Sequence, residues 1–172
     1  KISDYLVKFA TDRKLRYIQD GSNNVIIFKG GTVGYENSAS VMLQGHMDMV
    51  CEKDADCDIN FERDGLRLLL EDGVISADGT TLGGDDGIAV AFALAILDAD
   101  DIPHPPLECV FTVDEEIGML GAAAIDCSPL RSRIMLNLDS EDEGYLLVSC
   151  AGGACATCHI PVEYENMTGE LS

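Results

Sequence analysis

An α/β fold, with a central sheet flanked by helices, is what this 172-residue sequence predicts. Three observations predict it. Strand-like and helix-like segments alternate along the chain instead of clustering by type. Two runs, Leu107 to Val113 and Ile134 to Leu138, are largely apolar and bounded by polar residues, which suits central strands covered on both faces. No internal repeat, low-complexity tract or Pro/Ser linker divides the chain, so one domain is the default at this length.

The elements follow in order. Ile2, Leu6, Phe9 and Ala10 share one face at helical spacing, and Arg16 to Gln19 and Val25 to Phe28 read as short strands around an Asp20-Gly21 turn. Val41 to Gly45 is a compact apolar run. Leu66 to Leu70 and Val74 to Ser76 flank Glu71-Asp72-Gly73 as a hairpin. Gly79 to Gly87, rich in Gly and Asp, leads straight into Ile88 to Leu97, which is apolar on nearly every side and is expected to be a buried helix. A Pro-rich turn at Pro103 to Pro106 precedes the two largely apolar strands.

The formal charge is −20, from 31 acidic and 11 basic residues. Such a field repels nucleic acid and anionic membranes, so neither is expected as a partner. Although 47% of residues are hydrophobic, no apolar run approaches the roughly 20 residues of a membrane span. Seven Cys, an odd number without framework spacing and with no secretory leader ahead of them, point to reduced thiols in the cytoplasm and to no disulfides. The sequence opens at Lys1 with a helix pattern already under way by Ile2, so it is expected to begin inside a longer chain and to stop short of that chain's end.

Three apolar strands end in an acid or an imidazole. Val41 to Gly45 runs into His46-Met47-Asp48, Leu107 to Val113 into Asp114-Glu115-Glu116, and Ile134 to Leu138 into Asp139. The carboxyl ends of strands form the ligand crevice of open α/β sheets, so these groups can converge despite their separation in sequence. Asp85 and Asp86, where the Gly-rich loop enters its helix, supply a fourth cluster. Taken singly, each cluster is an ordinary solvated loop; together they form a constellation. Carboxylates packed this way raise one another's pKa unless a cation joins them. One His with several carboxylates suits zinc or a similar first-row ion better than magnesium or calcium. Residues two apart on a strand point the same way, so Asp48 can accept a hydrogen bond from the His46 ring nitrogen that faces away from metal. Of Glu115 and Glu116, one can bind metal while the other takes a proton from water; spacing leaves open which.

Four segments carry a family resemblance: Leu43-Gln44-Gly45-His46-Met47-Asp48-Met49-Val50, Gly79 through Ile88, Thr112 through Met119, and Leu136-Asn137-Leu138-Asp139-Ser140-Glu141. In this order they resemble the M20 metallopeptidases, and within them the aminoacyl-histidine (Xaa-His) dipeptidases. The resemblance implies a mixed, largely parallel sheet flanked by helices, as in zinc-peptidase and aminopeptidase catalytic domains. Residues 1–172 would be the N-terminal part of that domain, the lid or dimerisation domain lying outside them. It implies two divalent ions, zinc first with cobalt or manganese as alternatives: His46 and Asp139 hold one, Asp85 bridges both, and Glu116 holds the other. Glu115 becomes the general base, Asp48 the residue that orients His46, and Asp85-Asp86 a cis peptide bond. The implied reaction is hydrolysis of short peptides, Xaa-His dipeptides above all, by a protein that is a homodimer through its lid. Tripeptidase or carboxypeptidase specificity, or a non-catalytic metal-binding relative, are the alternatives. A free base at Glu115 favours the enzyme.

The family also uses a late metal-binding His and a lid His, whereas this sequence has only His46, His104 and His159. His104, between two prolines, reads as a surface turn residue, and His159 lies in an apparent strand. Residues 1–172 are therefore expected to be inactive alone, with a weak or empty second metal position. Cys155-Ala156-Thr157-Cys158-His159 matches a haem-attachment pattern but alternates as a strand does. Asp54, Asp56 and Asp58 imitate an EF-hand start, yet Ile59 stands where Gly is needed. The Gly79 to Gly87 loop lacks the Lys of a phosphate-binding loop.

Overall fold

The computed structural model describes residues 1–140, 144–150, 152–154 and 156–164. Glu141 and Cys155, each part of a motif above, lie outside the described residues. The chain divides into two compact units, Lys1–Glu141 and Asp142–Ser172. Every element belongs to the first: α1 (Ile2–Asp12), β1 (Arg16–Gln19), β2 (Val25–Lys29), β3 (Val41–His46), β4 (Leu68–Glu71), β5 (Val74–Ala77), α2 (Gly84–Asp98), β6 (Leu107–Thr112), α3 (Leu120–Ala124) and β7 (Ile134–Asn137).

The five-stranded sheet has the order β1-β2-β6-β3-β7. β3 pairs parallel with both β6 and β7, while β2 is antiparallel to β1 and to β6, so four of the five strands run one way. The expected mixed, largely parallel sheet is the one observed. Alternation along the strands places Val25, Ile27, Leu43, Leu107, Cys109 and Phe111 on one face, packed against Leu6, Phe9 and Ala10 of α1 and Ala93 and Leu97 of α2. β6, buried at all six positions, is the central strand the sequence suggests, with Glu108 and Thr112 as its buried polar members. The β1–β2 turn is set by Asp20, whose carboxylate accepts the Ser22 and Asn24 backbone N–H groups at 2.9 Å each. β4 and β5 form a separate two-stranded hairpin, and Asp72 and Gly73 between them both have positive φ, as a tight two-residue turn needs.

Four expectations differ from the structure. α2 is not buried all round: Asp86, Ala89, Ala93 and Leu97 face the sheet, but Ile88 and Phe92 are more than half exposed. A helix on one face of one sheet can bury only one stripe, whatever its remaining faces carry. β7 is an exposed edge strand bonded on one side to β3, because no further described strand extends the sheet. His104 is 4% exposed and not a surface residue. Its backbone N–H and C=O bond Thr32 and its ring Nδ1 donates to the Pro105 carbonyl at 2.7 Å, while Nε2 is buried with no hydrogen-bond partner among the described residues. His159 and Cys158 are exposed and lie in no strand; the described residues of the second unit form neither helix nor strand. Six cysteines among the described residues are free thiols.

Phe111, 1% exposed at the centre of the sheet, sets a direct test of this core. Phe111→Ala is expected to lower unfolding free energy by about 3–5 kcal/mol, measured by denaturant titration; a loss below about 1 kcal/mol would place the core elsewhere. Burial pushes the Cys109 thiol up to about 12, so alkylation of the folded chain at pH 8 should label the exposed Cys51 and Cys127 and leave Cys109 unmodified.

Candidate metal centre

β3 delivers His46 at its carboxyl end, where the residue is 1% exposed. Gly45 makes this possible. A Cβ there would stand 2.5 Å from Ala89 Cβ and 2.6 Å from Asp86 Oδ2, so only glycine lets the start of α2 close on the strand. The buried Asp86 carboxylate then accepts the His46 backbone N–H at 3.2 Å. Burial pushes Asp86 up to about 6, against the His46 and Ala89 N–H groups that favour its charged form. The Asp85–Asp86 peptide bond is cis, as the resemblance implies, and Asp85 faces His46.

The His46 ring is fixed on both sides. Nδ1 lies 2.9 Å from the Asp48 carbonyl oxygen and 3.4 Å from its carboxylate, so the bond foreseen for the side chain is made first by the backbone. A carbonyl can only accept, so Nδ1 donates to it, while Nε2 lies 3.0 Å from Asp85 Oδ1, donating to that carboxylate when protonated and open to a metal ion when not. Donor atoms of His46, Asp85 and Glu116 lie within 4.8 Å of one another. One imidazole nitrogen and two carboxylates this close form a mixed N/O donor set that fits a first-row metal ion.

Glu115 and Glu116 arrive on the loop after β6. Within it the Glu115 carbonyl accepts the Gly118 and Met119 N–H groups at 2.9 and 3.0 Å, and Asp114 and Met119 hold positive φ. Asp48 Oδ2 accepts the Glu116 backbone N–H at 3.1 Å, tying this loop to the end of β3. Desolvation raises the Glu115 pKa; Asp139, Glu116 and Asp48 add to this and His46 opposes it. Asp139 stands two residues past the last β7 pairing position, as His46 stands two past Gln44, its partner there, and its charge acts on His46, Asp86 and Glu115. At His46 burial pulls the pKa down, but the Asp85 contact and the charges of Asp48 and Asp139 outweigh it and the net shift is upward. All six residues singled out in the sequence therefore belong to one neighbourhood. Sequence reasoning gave no role to Gly45 or Asn24 and none specific to Asp86; a Gly directly before a strand-end His was the available signal for Gly45.

The profile described as "Peptidase family M20/M25/M40" matches residues 42–147. The chain belongs to this family. It is 37% identical over 165 residues to the cytosol non-specific dipeptidase of Escherichia coli strain K12, covering 96% of this chain and 34% of that protein. The crystal structure of aminoacylhistidine dipeptidase from Vibrio alginolyticus superposes with a TM-score of 0.79 at 41% identity, over 83% of this chain and 29% of that one. Aminopeptidase PepT from Bacillus cereus gives a TM-score of 0.66 at 28% identity, over 83% and 38%. This M20/M25/M40 chain thus spans about a third of the length of the relatives it matches.

The close approach at Gly45 is testable. Gly45→Ala should force α2 away from β3, costing about 1–3 kcal/mol and weakening zinc binding; thermal denaturation and metal titration check it. An unchanged variant would mean that the Gly45–Asp86 contact does not shape the centre.

Proposed function

We propose that this chain is the metal-binding part of a two-metal peptidase that hydrolyses short peptides, Xaa-His dipeptides foremost. The observation that carries the reading is the meeting of His46 Nε2 with the Asp85 and Glu116 carboxylates, with a raised-pKa Glu115 beside them. In this proposal His46 and Asp139 hold one ion, Asp85 is shared, and Glu116 holds the other, zinc before cobalt or manganese. Bound metal supplies polarisation of the scissile carbonyl and a lowered pKa for the attacking water.

The chain's own residues do the rest. Asp48 holds the Nδ1 side of His46 and the backbone of Glu116, fixing two donors with one residue. Glu115 takes the proton of the attacking water and passes it to the leaving amine, so its upward shift suits a group that must hold and release a proton. A cleft of about 670 Å³ beside Asp48, walled by Met47, Phe61, Val113 and Asp114, has room for a small peptide. Dipeptide hydrolysis rests on the two dipeptidase relatives, with tripeptidase or carboxypeptidase specificity as the second reading that the family resemblance leaves open.

The active protein is proposed to be a homodimer through a lid domain, in keeping with the family resemblance, and cytoplasmic. A relative named for the cytosol supports that compartment.

The test is hydrolysis of Xaa-His dipeptides by the longest natural polypeptide that carries this sequence, with and without a chelator. Chelation should abolish cleavage and zinc should restore it. Glu115→Gln should lower kcat by about 10²–10⁴-fold while keeping its metal. Cleavage indifferent to chelator, or full activity in the Glu115 variant, would refute the assignment; metal binding without any cleavage would favour a non-catalytic relative.

A further inference from the structure

The segment from Asp114 to Leu120 carries both Glu115 and Glu116, yet packing does not hold it. Residues 116–120 are exposed, and Asp114, Gly118 and Met119 all hold positive φ. Its two ends are fastened instead by one side chain from a distant part of the sequence. Asn24, 1% exposed at the start of the β2 hairpin arm, accepts the Val113 backbone N–H on Oδ1 at 3.1 Å. Its Nδ2 donates to the Gly121 carbonyl at 3.0 Å and to Asp20 Oδ2 at 2.7 Å. An asparagine amide has two N–H donors and one carbonyl acceptor, and all three are engaged. Val113 and Gly121 also bond each other, Gly121 N–H to Val113 O at 3.1 Å. A Cβ at residue 121 would collide with Val113 and come within 2.6 Å of Asn24 Oδ1, so the closure requires glycine there.

We infer that Asn24, held by Asp20, is a positioning residue: it closes the base of the 114–120 loop and thereby sets where Glu116 and Glu115 stand relative to His46 and Asp85. The inference rests on the metal-centre reading above. A buried amide that saturates its hydrogen bonds on both ends of one loop fixes that loop's span, and a metal ligand must be held to within a fraction of an ångström to bind well. The Asp20 carboxylate completes the device, since it also accepts the Asn24 backbone N–H and so fixes the amide's orientation from its own turn.

The test is a zinc or cobalt titration, read at the ion that Glu116 holds, on four forms of the longest natural polypeptide that carries this sequence: unaltered, Asn24→Ala, Glu116→Gln, and the pair combined. Each single change should weaken binding by roughly tenfold or more. The combination should bind no worse than Glu116→Gln alone, because Asn24 acts on that ion only through the loop, and Asp85 remains. Ile27→Ala, which loosens the same sheet away from the loop, should leave affinity unchanged. Equal affinity in Asn24→Ala, or the same loss with and without Glu116, would overturn the inference and leave the metal centre standing. Unchanged binding in Glu116→Gln would instead overturn the metal-centre reading itself. Should Asn24→Ala not fold, Asp20→Ala removes the anchor from a partly exposed turn; it should show the same dependence on Glu116, together with faster amide exchange at Val113 and Gly121, and its failure to do so overturns the inference equally.

Discussion

Parallel pairing of β3 with β6 on one side and β7 on the other is the constraint from which the rest follows. Parallel neighbours in register end at the same edge of a sheet, so groups just past Val113, Gly45 and Asn137 are delivered to one place whatever their separation in sequence. The ladder continues beyond the strands proper, Met47 N–H bonding Thr112 O at 2.8 Å and Leu138 N–H bonding Gln44 O at 3.3 Å. A shift of one residue in β7 would turn Asp139 to the other face of the sheet. Glu108 guards against this: buried in β6, it accepts the backbone N–H groups of Arg131 and Ser132 at 2.8–3.0 Å, just ahead of β7.

Delivery to one edge creates an electrostatic problem as well as an opportunity. Asp86 and Glu115 both titrate high, desolvated and facing Asp139. Asp86 is compensated by backbone N–H donors and so serves the fold, anchoring α2 against His46. Asp85 and Glu116 have their carboxylates exposed on the other side of the ring and remain available to an ion. Two adjacent acids, Asp85 and Asp86, thus divide into an outward and an inward group because one faces the crevice and the other the strand.

Much of this was legible in the sequence. Apolar runs that stop at an acid or a His gave β3, β6 and β7 and their edge, because apolarity and strand length are local properties. Exposure was not legible in the same way. Ile134, Met135 and Leu136 look like a central strand, yet β7 lies at an edge, and Ile88 and Phe92 look buried, yet one sheet covers only one side of α2. Whether an apolar residue is covered depends on what else the chain places beside it, which composition does not report. His104 erred in the opposite sense: its burial comes from bonds to Thr32, seventy-two residues away. Asn24 left no trace because its partners, Val113 and Gly121, are remote in sequence and bonded through backbone atoms common to all residues.

The central claim is that His46 and Asp85 hold a cation between them, with Asp85 shared toward the ion that Glu116 holds. Anomalous X-ray diffraction at the zinc edge, on crystals of the chain grown with zinc, tests it most directly. The account predicts an anomalous peak about 2.0–2.2 Å from His46 Nε2 and from an Asp85 oxygen. Zinc found only at other sites, with His46 Nε2 still against the Asp85 carboxylate, would contradict it.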